Sequence, residues 1–150
     1  MRTPGAAMLA VALLATPAQA QQQVALSSAV YVERDARSGG TLVTRADRLE
    51  SGDTVVMKVD WRAPAGSTAS AFTVATPIPA SLAFQKSGAP NLQVSVDGGR
   101  SWGRLGVMRV REGGRTRLVA PEDATNIRWR VPASKARSGS GSITYSALVR

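Results

Sequence analysis

Apolar residues recur at alternate positions along most of this chain, in short runs that glycine, proline and aspartate cut apart. Residues 54–61 show the pattern best, with Val55, Met57, Val59 and Trp61 on one phase and Val56, Lys58 and Asp60 on the other. A period of two marks a half-buried strand, because successive side chains leave a strand on opposite faces. The same alternation sets Leu92, Val94 and Val96 against Gln93, Ser95 and Asp97, and Ile127, Trp129 and Val131 against Arg128 and Arg130. It also sets Ile143, Tyr145, Ala147 and Val149 against Thr144, Ser146 and Leu148. Weaker strand patterns cover residues 24–33, 41–49, 70–74, 81–85, 106–110 and 115–119. Turn-forming clusters separate these runs at residues 38–40, 51–53, 63–67, 77–79, 88–91, 97–99, 112–114 and 121–123. The Ser-Gly stretch at residues 138–142 reads as one more loop, and only residues 121–124 suggest a helical turn. Many short strands with one apolar face each predict an all-β fold, an antiparallel sandwich or barrel.

Residues 1–20 have the make-up of an export signal: Arg2 at the start, an apolar run over residues 8–15, and Ala18-Gln19-Ala20 as a small-x-small cleavage site. Cleavage before Gln21 is expected. The apolar run is shorter than the roughly 20 residues that cross a bilayer, and no second run follows, so no transmembrane anchor is expected. Residues 21–150 are long enough for one domain with a single core. The expected location of that domain is the periplasm or the cell surface.

Cysteine and histidine are both absent. That removes disulfides, thiolate nucleophiles, thiolate or histidine metal sites, and the serine–histidine hydrolase triads. Carboxylates are the remaining acid–base resource, as the pairs Glu33 with Asp35, Asp47 with Glu50, and Glu122 with Asp123. Each lies among arginines or turn residues and reads as solvated. Asp97, Glu122 and Asp123 lack the close spacing of a calcium loop. The expectation is therefore a non-enzymatic protein with no catalytic residue, no metal ligand and no cofactor.

The formal charge of +9 is distributed unevenly. Between residues 21 and 99, seven cations meet seven acids, whereas between residues 100 and 137 ten cations meet only three acids. Such asymmetry produces a long-range attraction for anions. The candidate binding residues are Arg100, Arg104, Arg109, Arg111, Arg128 and Arg130, and the expected partner is an envelope protein or an anionic glycan or lipid surface. Trp61 and Trp129 fall on apolar phases and read as core, whereas Trp102 stands in a turn setting beside arginines. An alternative is therefore a carbohydrate-binding module that uses Trp102. Nucleic acid is not an expected partner, because basic stripes that bind it carry exposed aromatics and this chain has 5% aromatic residues.

Ser95-x-Asp97-x-Gly99-x-Ser101-Trp102 resembles an Asp-box, the turn motif repeated around sialidase-type β-propellers. Without an internal repeat the chain supplies no set of propeller blades, and the segment is expected to be a structural hairpin turned at Asp97-Gly98-Gly99. Four segments in order, residues 49–56, 75–84, 94–102 and 124–131, resemble exported bacterial immunoglobulin-like repeats of the DUF11 type. The likeness lies in a Gly52-Asp53 before an early strand, the Thr76-Pro77-Ile78-Pro79 turn, the Ser95-Val96-Asp97-Gly98-Gly99 hairpin and the Thr125-to-Trp129 strand, with a strand closing the chain. Thr76 stands where that family usually has asparagine. The resemblance implies an immunoglobulin-like β-sandwich over residues 24–150, in a single copy, acting as a structural or interaction module of the cell envelope.

Overall fold

A computed structural model describes residues 24–35, 41–45, 48–63 and 70–150. The expected export signal lies outside the described residues, as do the turn clusters at residues 38–40 and 64–67 and the candidate acid Asp47. The chain forms the expected all-β antiparallel sandwich. Among the described residues ten strands follow in order: β1 (Ala25–Asp35), β2 (Thr41–Arg45), β3 (Thr54–Arg62), β4 (Phe72–Pro77), β5 (Leu82–Ser87), β6 (Gln93–Ser95), β7 (Arg109–Glu112), β8 (Arg115–Leu118), β9 (Asn126–Val131) and β10 (Ser140–Val149). The larger sheet has the order β2-β1-β3-β10-β5, the smaller one β4-β9-β6, and β7 and β8 form a two-stranded ribbon of their own.

The alternating residues do what their phase dictates. Val55, Met57, Val59 and Trp61 point inward from β3, Tyr145, Ala147 and Val149 from β10, and Leu82 and Phe84 from β5. Val74 of β4, Val94 of β6, and Ile127, Trp129 and Val131 of β9 meet them from the smaller sheet. Burial of each of the Val, Leu, Ile, Met and Phe side chains among these contributes about 1.5–3 kcal/mol. Two aromatic contacts reinforce this core. The Trp61 and Phe72 rings join β3 to β4 edge-on, 5.2 Å apart at 80°, and Phe84 lies 5.8 Å from Tyr145. The Trp129 indole N–H has no acceptor among the described residues, an omission that costs about 1–3 kcal/mol.

Three local expectations are corrected. The Ser-Gly stretch is not simply a loop, since β10 already begins at Ser140 and pairs with β3. Gly141 stands opposite Trp61, and a Cβ there would come within 2.6 Å of the indole ring. The glycine is thus required by close packing. A short helix, α1 (Ala133–Ala136), follows Pro132, where the pattern gave no helical signal. Finally, the strand expected over residues 92–97 is regular only for Gln93–Ser95, and a single Val94–Gly103 pair closes the segment. The chain leaves the sheet because the side chains of Ser95 and Asp97 bind the amides that follow.

Candidate functional site

Ser95 and Asp97 organise the loop that borders the basic half of the chain. The Ser95 hydroxyl is fully buried; it donates to Asp97 Oδ1 at 2.7 Å and accepts the Gly99 N–H at 2.8 Å. Asp97 accepts the Arg100 and Ser101 amides at 3.0 and 2.9 Å, and the Ser101 hydroxyl at 2.6 Å. These bonds, led by the two from Ser101 and followed by that from Ser95, hold the Asp97 carboxyl well below the usual carboxylate range. Thr125 ties the loop to the start of β9, accepting the Gly98 N–H at 3.0 Å. The result is a rigid eight-residue excursion, closed by backbone bonds of 2.8 and 3.0 Å between Val94 and Gly103.

This loop carries Trp102 onto the outer face of the smaller sheet. The half-buried indole lies against Gly99, where a Cβ would sit 3.4 Å from the ring. Its face meets the guanidinium of Arg128, whose carbon is 4.6 Å from the ring centroid. Arg128 Nε also donates to Gln93 Oε1 at 2.8 Å, across the register that pairs β6 with β9. Arg130 follows Arg128 on the same face, because residues two apart along a strand share a side. Arg104, in the loop after Gly103, donates through Nη2 to Asn91 Oδ1 at 3.2 Å. Asn91 itself adopts φ 56°, a left-handed conformation in which asparagine is enriched.

Together Thr73 of β4, Gln93 of β6, and Trp129 with Arg128 and Arg130 of β9 line a surface depression of about 530 Å³, completed by Asn91 and Arg104. Among the described residues, no carboxylate borders it. Two acids of the basic half are engaged elsewhere. Arg117 donates to Glu112 at 2.9 Å and to both oxygens of Asp123 at 2.6 and 3.1 Å. Asp123, and then Glu112, hold that guanidinium protonated more firmly than usual, and Arg117 in turn lowers the pKa of Asp123. Two of the three acids of the basic half therefore serve a single arginine. Among the described residues, none of Arg104, Arg128 and Arg130 forms an ion pair. A second depression, of about 570 Å³ over β1, β3 and β10, differs in that Lys58 and Asp60 pair at 3.1 Å within it, with Arg62 as its one further cation among the described residues.

The structure thus brings together three of the expected arginines, Arg104, Arg128 and Arg130, with Trp102 fixed to one of them. Arg109 and Arg111 project from β7 of the separate ribbon, exposed and outside the depression. Arg100 lies exposed in the Asp97 loop, where its amide rather than its side chain has the described bond. A sugar ring stacking on the Trp102 face that Arg128 covers would displace the guanidinium. Asn91, Gln93 and Thr73 carried no signal in the sequence, because neutral residues at strand edges resemble any other turn or surface position. Only the alternation of Gln93 with Val94 pointed to the outer face. Among the described residues, no group of three or more acids, histidines or cysteines is placed to hold a metal ion. No protein-family model, no curated protein and no solved structure matches the chain.

Proposed function

We propose that this is an exported, non-enzymatic β-sandwich of the cell envelope, a structural or interaction module whose basic face contacts anionic envelope glycans, lipids or an acidic partner protein. The observation that carries this reading is the clustering of Arg104, Arg128 and Arg130 around a depression with no carboxylate among the described residues, while Glu112 and Asp123 of the basic half serve Arg117. Uncompensated charge in a concave surface concentrates counter-ions and speeds association with anions. The leader-like composition of residues 1–20 and the resemblance to DUF11-type repeats favour export and an envelope role. Binding of heparin and lipopolysaccharide by the purified protein tests the reading. Reversing the charge of Arg109, Arg111, Arg128 and Arg130 together should abolish retention of both; retention by the reversed protein would show that the basic face is not the contact. Export has its own check, a mature N-terminus at Gln21 by mass spectrometry of the cell-envelope fraction.

A further inference from the structure

We propose that Arg104, Arg128 and Arg130 form a discrete site for one tetrahedral oxyanion, a phosphate- or sulfate-ester group, and that Trp102 is the positioning residue that keeps Arg128 ready for it. The proposal rests on the basic-face reading and narrows it from a charged surface to three side chains. Two of the three guanidinium groups are anchored by neutral amide oxygens, Arg128 by Gln93 and Arg104 by Asn91. An amide anchor fixes a guanidinium without cancelling its charge, as a carboxylate would. Arg128 is held twice, through Nε by Gln93 and through its face by Trp102. Among the described residues its two terminal nitrogens have no acceptor, and these are the pair that grips two oxygens of one anion.

The number of cations favours a tetrahedral group over a single carboxylate. Three arginines on one depression offer more donors than the two oxygens of a carboxylate can accept, whereas a sulfate ester or phosphate monoester presents three unbridged oxygens with one to two negative charges. Thr73 lies directly across from Arg130 in the β4–β9 register and adds a hydroxyl to the rim. A depression of about 530 Å³ is larger than a bare anion needs, and pockets of about 300–1,000 Å³ hold small organic ligands. The ester therefore has room for an attached sugar or glycerol unit, as in a modified glycan or a phospholipid headgroup.

The test uses the full chain at constant ionic strength, with inorganic phosphate and inorganic sulfate as probes and tryptophan fluorescence as the readout. Saturable one-to-one binding is expected. Arg128→Gln and Arg130→Gln should each weaken it about tenfold, because each removes charge-assisted bonds. The double substitution Arg115→Gln with Arg137→Gln should leave binding unchanged although it removes more charge. Trp102→Ala should weaken binding several-fold and Trp102→Phe should restore most of it, whereas Arg128→Lys should not restore what Arg128→Gln loses. A heparin disaccharide and vesicles of phosphatidylglycerol in phosphatidylcholine then separate a glycan source from a lipid source. If the double control weakens binding as much as Arg128→Gln, the discrete site is wrong and the general basic face stands. Retention of neither inorganic anions nor heparin by the wild-type protein sinks both. Preference for a uronate monosaccharide, whose only charge is a carboxylate, over phosphate and sulfate, lost in Arg128→Gln, would overturn the tetrahedral assignment.

Discussion

The guanidinium of Arg128 packs over the ring of Trp102 at 4.6 Å, joining the middle strand of the smaller sheet to the loop that folds across it. At a partly exposed position such a contact contributes about 0.5–1 kcal/mol. A double-mutant cycle of Trp102→Ala and Arg128→Ala, read from urea unfolding, should return a coupling of that size. Zero coupling would mean that the two groups meet without holding one another.

Gly141 has no room for a side chain beneath Trp61. The indole is buried in the core, so it cannot swing aside to admit a methyl group 2.6 Å from its Cζ2. Gly141→Ala should lower stability by about 1–3 kcal/mol, the range for an overpacked core. A urea midpoint equal to that of the wild type would contradict this packing.

Ser95 is the one fully buried polar side chain of the loop, and its hydroxyl accepts the Gly99 amide. Ser95→Ala should cost about 1–3 kcal/mol, the penalty for a polar group left without its partner. The loss should appear in hydrogen exchange as faster exchange at Gly99. Unchanged exchange at that amide would show that the hydroxyl is dispensable.

Asp97 gives the fold an acid-sensitive element. Its folded pKa lies below the ordinary value of 3.8, so its contribution is complete above that pH and declines as the pH falls beneath it. Melting temperatures measured from pH 6 to pH 2 should fall more steeply for the wild type than for Asp97→Asn at the acidic end. Parallel profiles would assign the acid sensitivity to other carboxylates.

Tyr145 acts at the opposite end of the pH scale. Burial pushes its hydroxyl up to about 12 from an ordinary value of 10.0. The unfolded chain therefore releases this proton first, and stability that is intact below pH 10 declines as the pH rises towards 12. One proton gives a slope of at most about 1.4 kcal/mol per pH unit. Tyr145→Phe should remove that slope from alkaline unfolding curves, and persistence of the slope in the variant would place its origin elsewhere.

Much of this architecture could be read from residues 54–61 and their counterparts, because alternation reports burial one residue at a time. The strands of the described residues all fall within or beside segments that show it. What alternation does not report is pairing. Nothing in Val55 or Ala147 discloses that β3 and β10 lie side by side, and nothing in Arg109 or Arg111 discloses that their strand leaves the sandwich for a separate ribbon. The candidate site was legible through its charges, which the sequence displays, and illegible through Asn91 and Gln93, whose importance comes only from the arginines they hold. Helix α1 escaped because four residues after a proline give no periodicity to detect. Gly141 looked like loop composition because its role is a close approach to Trp61, made from the neighbouring strand of the same sheet.

The pairing of β3 with β10 ties the middle of the larger sheet to the order in which the chain is made. Met57 must wait for Tyr145 and Val55 for Ala147 before the strand between β3 and β5 exists. A chain cut before Ser140 would therefore display the inner row of β3 along an unfilled gap, with backbone donors and acceptors bare on one side. Contacts so distant in sequence also slow folding, since the intervening loop must close before they return any stabilisation. The domain therefore cannot commit to its final shape until residues 140–149 are free to pair with β3.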